Sequence, residues 1–174
     1  MGQVYSILQK RSLPFPLFRL ERGSVQAIDR FKKSGNGVLL ASGTLWEGID
    51  IPGDALSLLI IVKLPFAVPD PIGDYERSLC GSMEKYKIRC IIPDMQIRLK
   101  QGDGRLIRSE FDTGIVAILD IRASEGWPYF RWVFSALPRR RITSSITEVR
   151  NFALEKKPPS YWSGAIEYTN ETFI

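Results

Sequence analysis

The chain has 174 residues, 44% hydrophobic and 25% charged, a balance that suits one globular domain with a real core. It contains no histidine and only two cysteines, Cys80 and Cys90. That excludes histidine-based metal sites, catalytic triads and histidine general bases, and leaves too few thiols for an iron–sulfur cluster or a four-ligand zinc site. The net charge of +5 favours a polyanionic partner such as nucleic acid. The cysteines read as reduced thiols of a cytoplasmic protein. No apolar run approaches the ~20 residues of a membrane span, and no signal peptide heads the chain, so no membrane partner is expected.

In chain order, residues 1–11 suit a short helix with Val4, Ile7 and Leu8 on one side. Starting in mid-pattern suggests a piece of something longer. Leu13 to Leu20 reads as extended, confined by Pro14 and Pro16 to a loop and a short edge strand. Ser24 suits the N-cap of a helix that turns Val25, Ile28 and Phe31 inward, and Ser34-Gly35-Asn36-Gly37 stops it. Continuous apolar runs follow at Val38–Ala41, Leu58–Val62 and Ile115–Leu119, as parallel strands covered on both faces require. Between them the pattern predicts a short helix near Trp46, one over 74–87 and one over 93–108; later helices fall near 129–136 and 144–155. Strands alternating with helices mean an α/β fold with a mostly parallel sheet. Lys157-Pro158-Pro159 ends the domain at 157, and residues 158–174 read as a C-terminal tail.

Two stretches carry chemistry. In the helix predicted over 93–108, a step of ~100° per residue puts Gln101, Arg105 and Arg108 within about 60° of one another. Met95, Leu99, Gly102 and Leu106 fall on the other side. Gly104 costs roughly 1 kcal/mol inside a helix, and beside the arginines it makes room for something close. Two guanidinium groups one turn apart can both reach a single phosphate. A solvated helix face is the plainer alternative. The second stretch is the loop Ala41–Asp50 after an apolar strand, where open parallel sheets place their ligands. It offers small residues, hydroxyls, two acids and two glycines, which suit either phosphate binding or a self-capped turn.

Taken together, the order SGTLWEGIDIPG, KLPF, QGDGRLIR and ILDIR, then Ala136-Leu137-Pro138, resembles the second motor domain of superfamily 2 helicases of the DinG/XPD family over about residues 24–138. Residues 46–53 look like motif V, and Gln101, Gly104, Arg105 and Arg108 like motif VI, Q-x-x-G-R-x-I-R. The resemblance implies a RecA-like three-layer sandwich with a mostly parallel central sheet, of the P-loop NTPase kind. It also implies ATP with Mg2+, held mainly by an upstream RecA-like domain, and single-stranded DNA bound at the interdomain cleft. Arg108 would be the arginine finger and Arg105 a second contact to the terminal phosphates. Gln101 and Gly104, with Gly48 and Asp50 of motif V, would lie at the nucleotide; Ser42, Gly43, Thr44, Trp46 and Glu47 would lie nearer the DNA strand. No G-x-x-x-x-G-K-[ST] loop occurs in the chain, so the cradle for the nucleotide must come from that other domain, and the isolated chain should not hydrolyse ATP. Asp103 stands where the family has an uncharged residue; it points about 160° from Arg105 on the helix and should have a modest effect. A stand-alone or degenerate nucleic-acid-binding module without ATPase activity is the alternative reading.

Other features read as structural. Phe66, Pro69 and Pro71 suit a packed loop, and Tyr75-Glu76-Arg77 a helix surface. Arg139-Arg140-Arg141 suits a solvated run, and Trp127, Tyr129, Phe130, Trp132 and Phe134 suit core or interface.

Overall fold

The computed structural model describes residues 2–21, 25–42, 51, 56–107, 113–137 and 141–155. The predicted N-cap at Ser24, most of motif V, the helix near Trp46, Arg108, Arg139 and Arg140, and the tail from 158 lie outside these residues. The described part is α/β, with parallel strand pairs and helices between them, and falls into two compact units.

The first unit holds α1 (Gly2–Gln9), β1 (Leu17–Arg19), α2 (Val25–Ser34) and β2 (Val38–Leu40), together with the C-terminal α7 (Ile146–Glu155). β1 and β2 are parallel, with Leu17 opposite Val38 and Arg19 opposite Leu40. Pro16 has no amide hydrogen to give, but its carbonyl accepts the Val38 N–H at 2.9 Å, so the proline sits where only its acceptor is needed. Leu20, Phe31 and Ile51 form the core, with Phe18, Ile28 and Leu39 packed on it. Phe31 meets Phe18 edge to face at 6.2 Å. The α2–β2 turn demands its glycines: Gly35 adopts φ 71°, and a Cβ on Gly37 would lie 2.6 Å from the Phe18 ring.

The second unit runs from 57 to 142. It begins with β3 (Leu58–Ile61), continues through α3 (Pro71–Cys80), α4 (Met83–Tyr86), a π-helical turn (Lys87–Ile91) and α5 (Ile92–Leu106), and returns through β4 (Ile115–Ile118). A 3-10 turn at Ile121–Ala123 and α6 (Phe130–Ala136) follow. β4 lies parallel to β3, with Leu58 opposite Ile115 and Ile61 opposite Ile118. The connection between them is helical, as a parallel crossover requires. Ile61, Leu64, Ile92, Met95, Leu99, Leu106, Val133 and Ala136 are buried, and Met95 and Leu99 are fully so. Leu58 and Ile60 on the alternate face of β3 remain exposed, so the expected cover on both faces holds for one face of this strand.

Three sequence expectations change. The helix expected over 74–87 starts earlier, at Pro71, where Asp70 caps it by accepting the Gly73 N–H at 2.7 Å. It stops at Gly81, whose left-handed φ of 71° breaks the run before Ser82 caps the next helix. Pro93 does stand in the first turn of α5, as expected, but not at the start of a fresh helical run. The α-helical pitch does start at Ile92, but the chain is already helical from Met83. Proline inside a helix removes one donor and crowds the carbonyl four residues back. The wider turn before it, with the Ile92 N–H reaching Lys87 O, accommodates that ring. The aromatic residues in and just before α6 are not all core: Val133 and Ala136 are buried, whereas Trp127, Trp132 and Phe134 are exposed. A helix of seven residues has one stripe to give to α5, and smaller side chains occupy it.

Among the described residues no helix is long and apolar enough to cross a membrane.

Candidate functional site

The site is built on α5. Its buried stripe is Ile92, Met95, Leu99, Gly102 and Leu106, the spacing of one helical face. Gln96 fixes its orientation from the side, donating to the Trp132 carbonyl and to Ser135 Oγ of α6, both at 2.9 Å. Asp94 and Arg98 pair along the helix at 2.8 Å.

With one face buried, the last turn presents Gln101 and Gly104 to solvent. Arg105 is half-buried, and its Nε and Asp103 Oδ1 are both withdrawn from water. The Arg105 side chain is therefore held by interactions within the protein, a different picture from an arginine standing clear of the surface. A Cβ at Gly104 would meet nothing within 4 Å, so the space beside Arg105 is open. The structure thus brings Gln101, Gly104 and Arg105 together on one turn opposite the core stripe.

The helix ends sooner than expected. Leu106 is its last residue, and Ile107 turns extended at φ −120°, ψ 107°, though its N–H still reaches Asp103 O at 3.0 Å. The helical stripe is therefore described only as far as Leu106, and the expected place of Arg108 on it lies outside the described residues. A helix already carrying Gly104 near its end ends at a β-branched residue. Just downstream the backbone must come close: a Cβ on Gly114 would lie 2.6 Å from Leu106 Cδ1. Of the expected strand-facing residues only Ser42 is described; it is exposed, just past the carboxyl end of β2 in the first unit. Gly43, Thr44, Trp46, Glu47, Gly48 and Asp50 lie outside the described residues.

A second cluster, which sequence reasoning marked only as a matching pattern, joins the carboxyl ends of β3 and β4. Asp120 is buried and accepts from the Leu64 N–H at 2.9 Å and the Arg122 N–H at 3.1 Å. Its two oxygens also take the Arg122 guanidinium at 2.9 and 2.6 Å. The hydrogen bonds from Arg122 outweigh burial and hold the Asp120 carboxyl well below the usual carboxylate range. The same pairing raises the pKa of Arg122. The Arg122 guanidinium lies 5.0 Å over the Phe66 ring, Phe66 meets Tyr129 edge to face at 5.0 Å, and Lys87 Nζ sits 5.0 Å over Tyr129. The KLPF and LDIR segments are thus one clip. The available signal was an aspartate and an arginine two residues apart, immediately after an apolar strand.

Residues 1–139 match the helicase C-terminal domain family, and the chain belongs to that family. Its motif order and its relatives place it with the C-terminal domain of DinG-type helicases. It is 37% identical over 143 residues to the ATP-dependent DNA helicase YoaA of Escherichia coli, covering 78% of this chain and 22% of that protein. It is 37% identical over 127 residues to the 3'-5' exonuclease DinG of Bacillus subtilis (72% of this chain, 13% of that protein). To the ATP-dependent helicase DinG of Mycobacterium tuberculosis H37Ra the identity is 30% over 125 residues, 71% of this chain and 19% of that one. The chain thus spans 22% or less of the length of these relatives.

Proposed function

We propose that residues 1–157 act as the second motor domain of a DinG-like ATP-dependent DNA helicase, with 158–174 a tail. The observation that carries this reading is the last turn of α5, where Gln101, Gly104 and Arg105 share one side of a helix whose other side is core. Open space beside Gly104 leaves room for a phosphate to approach Arg105. In this reading Arg108 is the arginine finger and Arg105 a second contact to the terminal phosphates of ATP. Gln101, Gly48 and Asp50 lie at the nucleotide, and the segment from Ser42 to Glu47 meets single-stranded DNA. The residues fit the phosphate end of ATP alone. The chain has no P-loop sequence, so the Mg2+-nucleotide cradle belongs to an upstream RecA-like domain, and the isolated chain is inactive. When that domain holds ATP, guanidinium groups from this one neutralise charge developing on the transferred phosphoryl group.

The test is DNA-stimulated ATP hydrolysis by the full-length protein. Arg108→Ala should lower kcat by about 10³-fold or more with little change in DNA affinity. Activity at the parental level would remove the arginine-finger role. Arg105→Ala should lower it less, and Arg105→Lys should recover part of the loss, since the charge returns without the fork.

The missing P-loop also suits the alternative of a nucleic-acid-binding module without ATPase activity. Micromolar or tighter binding of single-stranded DNA by the isolated chain, falling steeply with salt, would favour that reading. No detectable binding favours the half-motor.

A further inference from the structure

α5 and α6 pack together, with Met95 and Leu99 buried on one helix and Val133 and Ala136 on the other. Apolar burial is non-directional, and a methionine side chain adapts to small shifts. Such a contact resists separation of the helices more than it resists roll. The polar contact beside it is directional. Gln96 Nε2 donates to the Trp132 carbonyl and to Ser135 Oγ, both at 2.9 Å, and Ser135 Oγ donates to the same carbonyl at 3.0 Å. Three polar groups, one from α5 and two from α6, thus close a triangle that takes up both amide hydrogens of Gln96. It stands three residues after Pro93, where the backbone ladder lacks the donor that proline cannot supply. We infer that Gln96 is a positioning residue, fixing the roll of α5 and through it the place of Arg105. The inference rests on the reading of Arg105 as a contact to the terminal phosphates of ATP.

The helix runs unbroken from Ile92 to Leu106, so a roll at Gln96 is carried into the last turn. Arg105 lies roughly 14 Å further along the axis and about 180° round it. A roll of about 10° moves a group roughly 6 Å from the axis by about 1 Å. A misplacement of about 1 Å can cost on the order of 100-fold in rate, even when its source is far from the chemistry. The Arg105 side chain is itself held within the protein, so it follows its helix. In the proposed reading another domain cradles the nucleotide. Displacing Arg105 then slows turnover and leaves ATP binding nearly unchanged.

The experiment measures DNA-stimulated ATP hydrolysis by the full-length protein carrying Gln96→Ala, Gln96→Met, Arg105→Ala, or Gln96→Ala with Arg105→Ala. Alanine and methionine both favour helix, and methionine keeps the length of the side chain without its N–H groups. Each Gln96 variant should lower kcat about tenfold, with KM for ATP and DNA affinity changed by less than about twofold. In the double variant the loss should fall well short of the product of the two single losses, because both act at one turn. A merely structural role would weaken DNA binding as well, and would multiply fully with Arg105→Ala. Two results would overturn the inference while leaving the phosphate role of Arg105 intact. One is parental kcat in both Gln96 variants beside a slowed Arg105→Ala; the other is full multiplication in the double variant. Parental turnover in Arg105→Ala would instead remove that phosphate role, and the inference with it.

Discussion

Asp120 takes four hydrogen bonds on one buried carboxylate: the amides of Leu64 and Arg122 and both ends of the Arg122 fork. Its folded-state pKa is depressed, so the stabilisation it gives is present above its unfolded value of about 3.9 and is lost as pH falls through and below that value. Acid unfolding followed by circular dichroism should therefore steepen below about pH 4 in the parent chain, and Asp120→Asn should flatten that dependence. Asp120→Ala should cost about 2–4 kcal/mol, because it leaves the Leu64 N–H without its acceptor and Arg122 without its counter-charge. At the same scale, Leu99→Ala removes a fully buried side chain from the α5 stripe and should cost about 2–5 kcal/mol in urea unfolding.

At the scale of the element, α5 and the approach to β4 separate stability from activity through two glycines, Gly104 and Gly114. Gly114 faces Leu106 so closely that Gly114→Ala must push the helix end and the approach to β4 apart, at an expected cost of about 1–3 kcal/mol. Gly104 has nothing near it, so Gly104→Ala should raise stability by about 0.5–1 kcal/mol, by removing glycine's cost in a helix. If its open side is where a phosphate approaches Arg105, the same substitution should lower ATP turnover of the full-length protein. A variant that melts higher and turns over at the parental rate would show that the space is unused.

For the whole molecule, charge and partial length set the terms. A net charge of +5 suits a DNA strand, yet the chain matches at most 22% of the relatives described, so strand binding and ATP turnover are tested on the longer protein. Its DNA affinity should fall linearly in log–log form with salt, and removing a phosphate-contacting cation should reduce the slope by about one. The Arg108→Ala variant should leave that slope unchanged if its role lies at the nucleotide.

The sequence by itself determined the features that depend on near neighbours. Apolar runs placed three of the four described strands, β2, β3 and β4, and the 3.6-residue period picked out Met95, Leu99, Gly102 and Leu106 as the buried side of α5, because burial of one face repeats along the helix. Motif order was legible for the same reason and led to the helicase C-terminal domain family. Tertiary structure alone decided what depends on distant residues or competing local forces. Leu64 and Asp120 meet across 56 positions, which no periodicity records. The π-helical turn before Pro93 settles a conflict between a continuing helix and a missing donor, and the helix stops at Leu106 where periodicity would have run on to Arg108. Periodicity says which side of an element is buried; where an element yields and what it meets come from packing, and packing is a property of the folded chain.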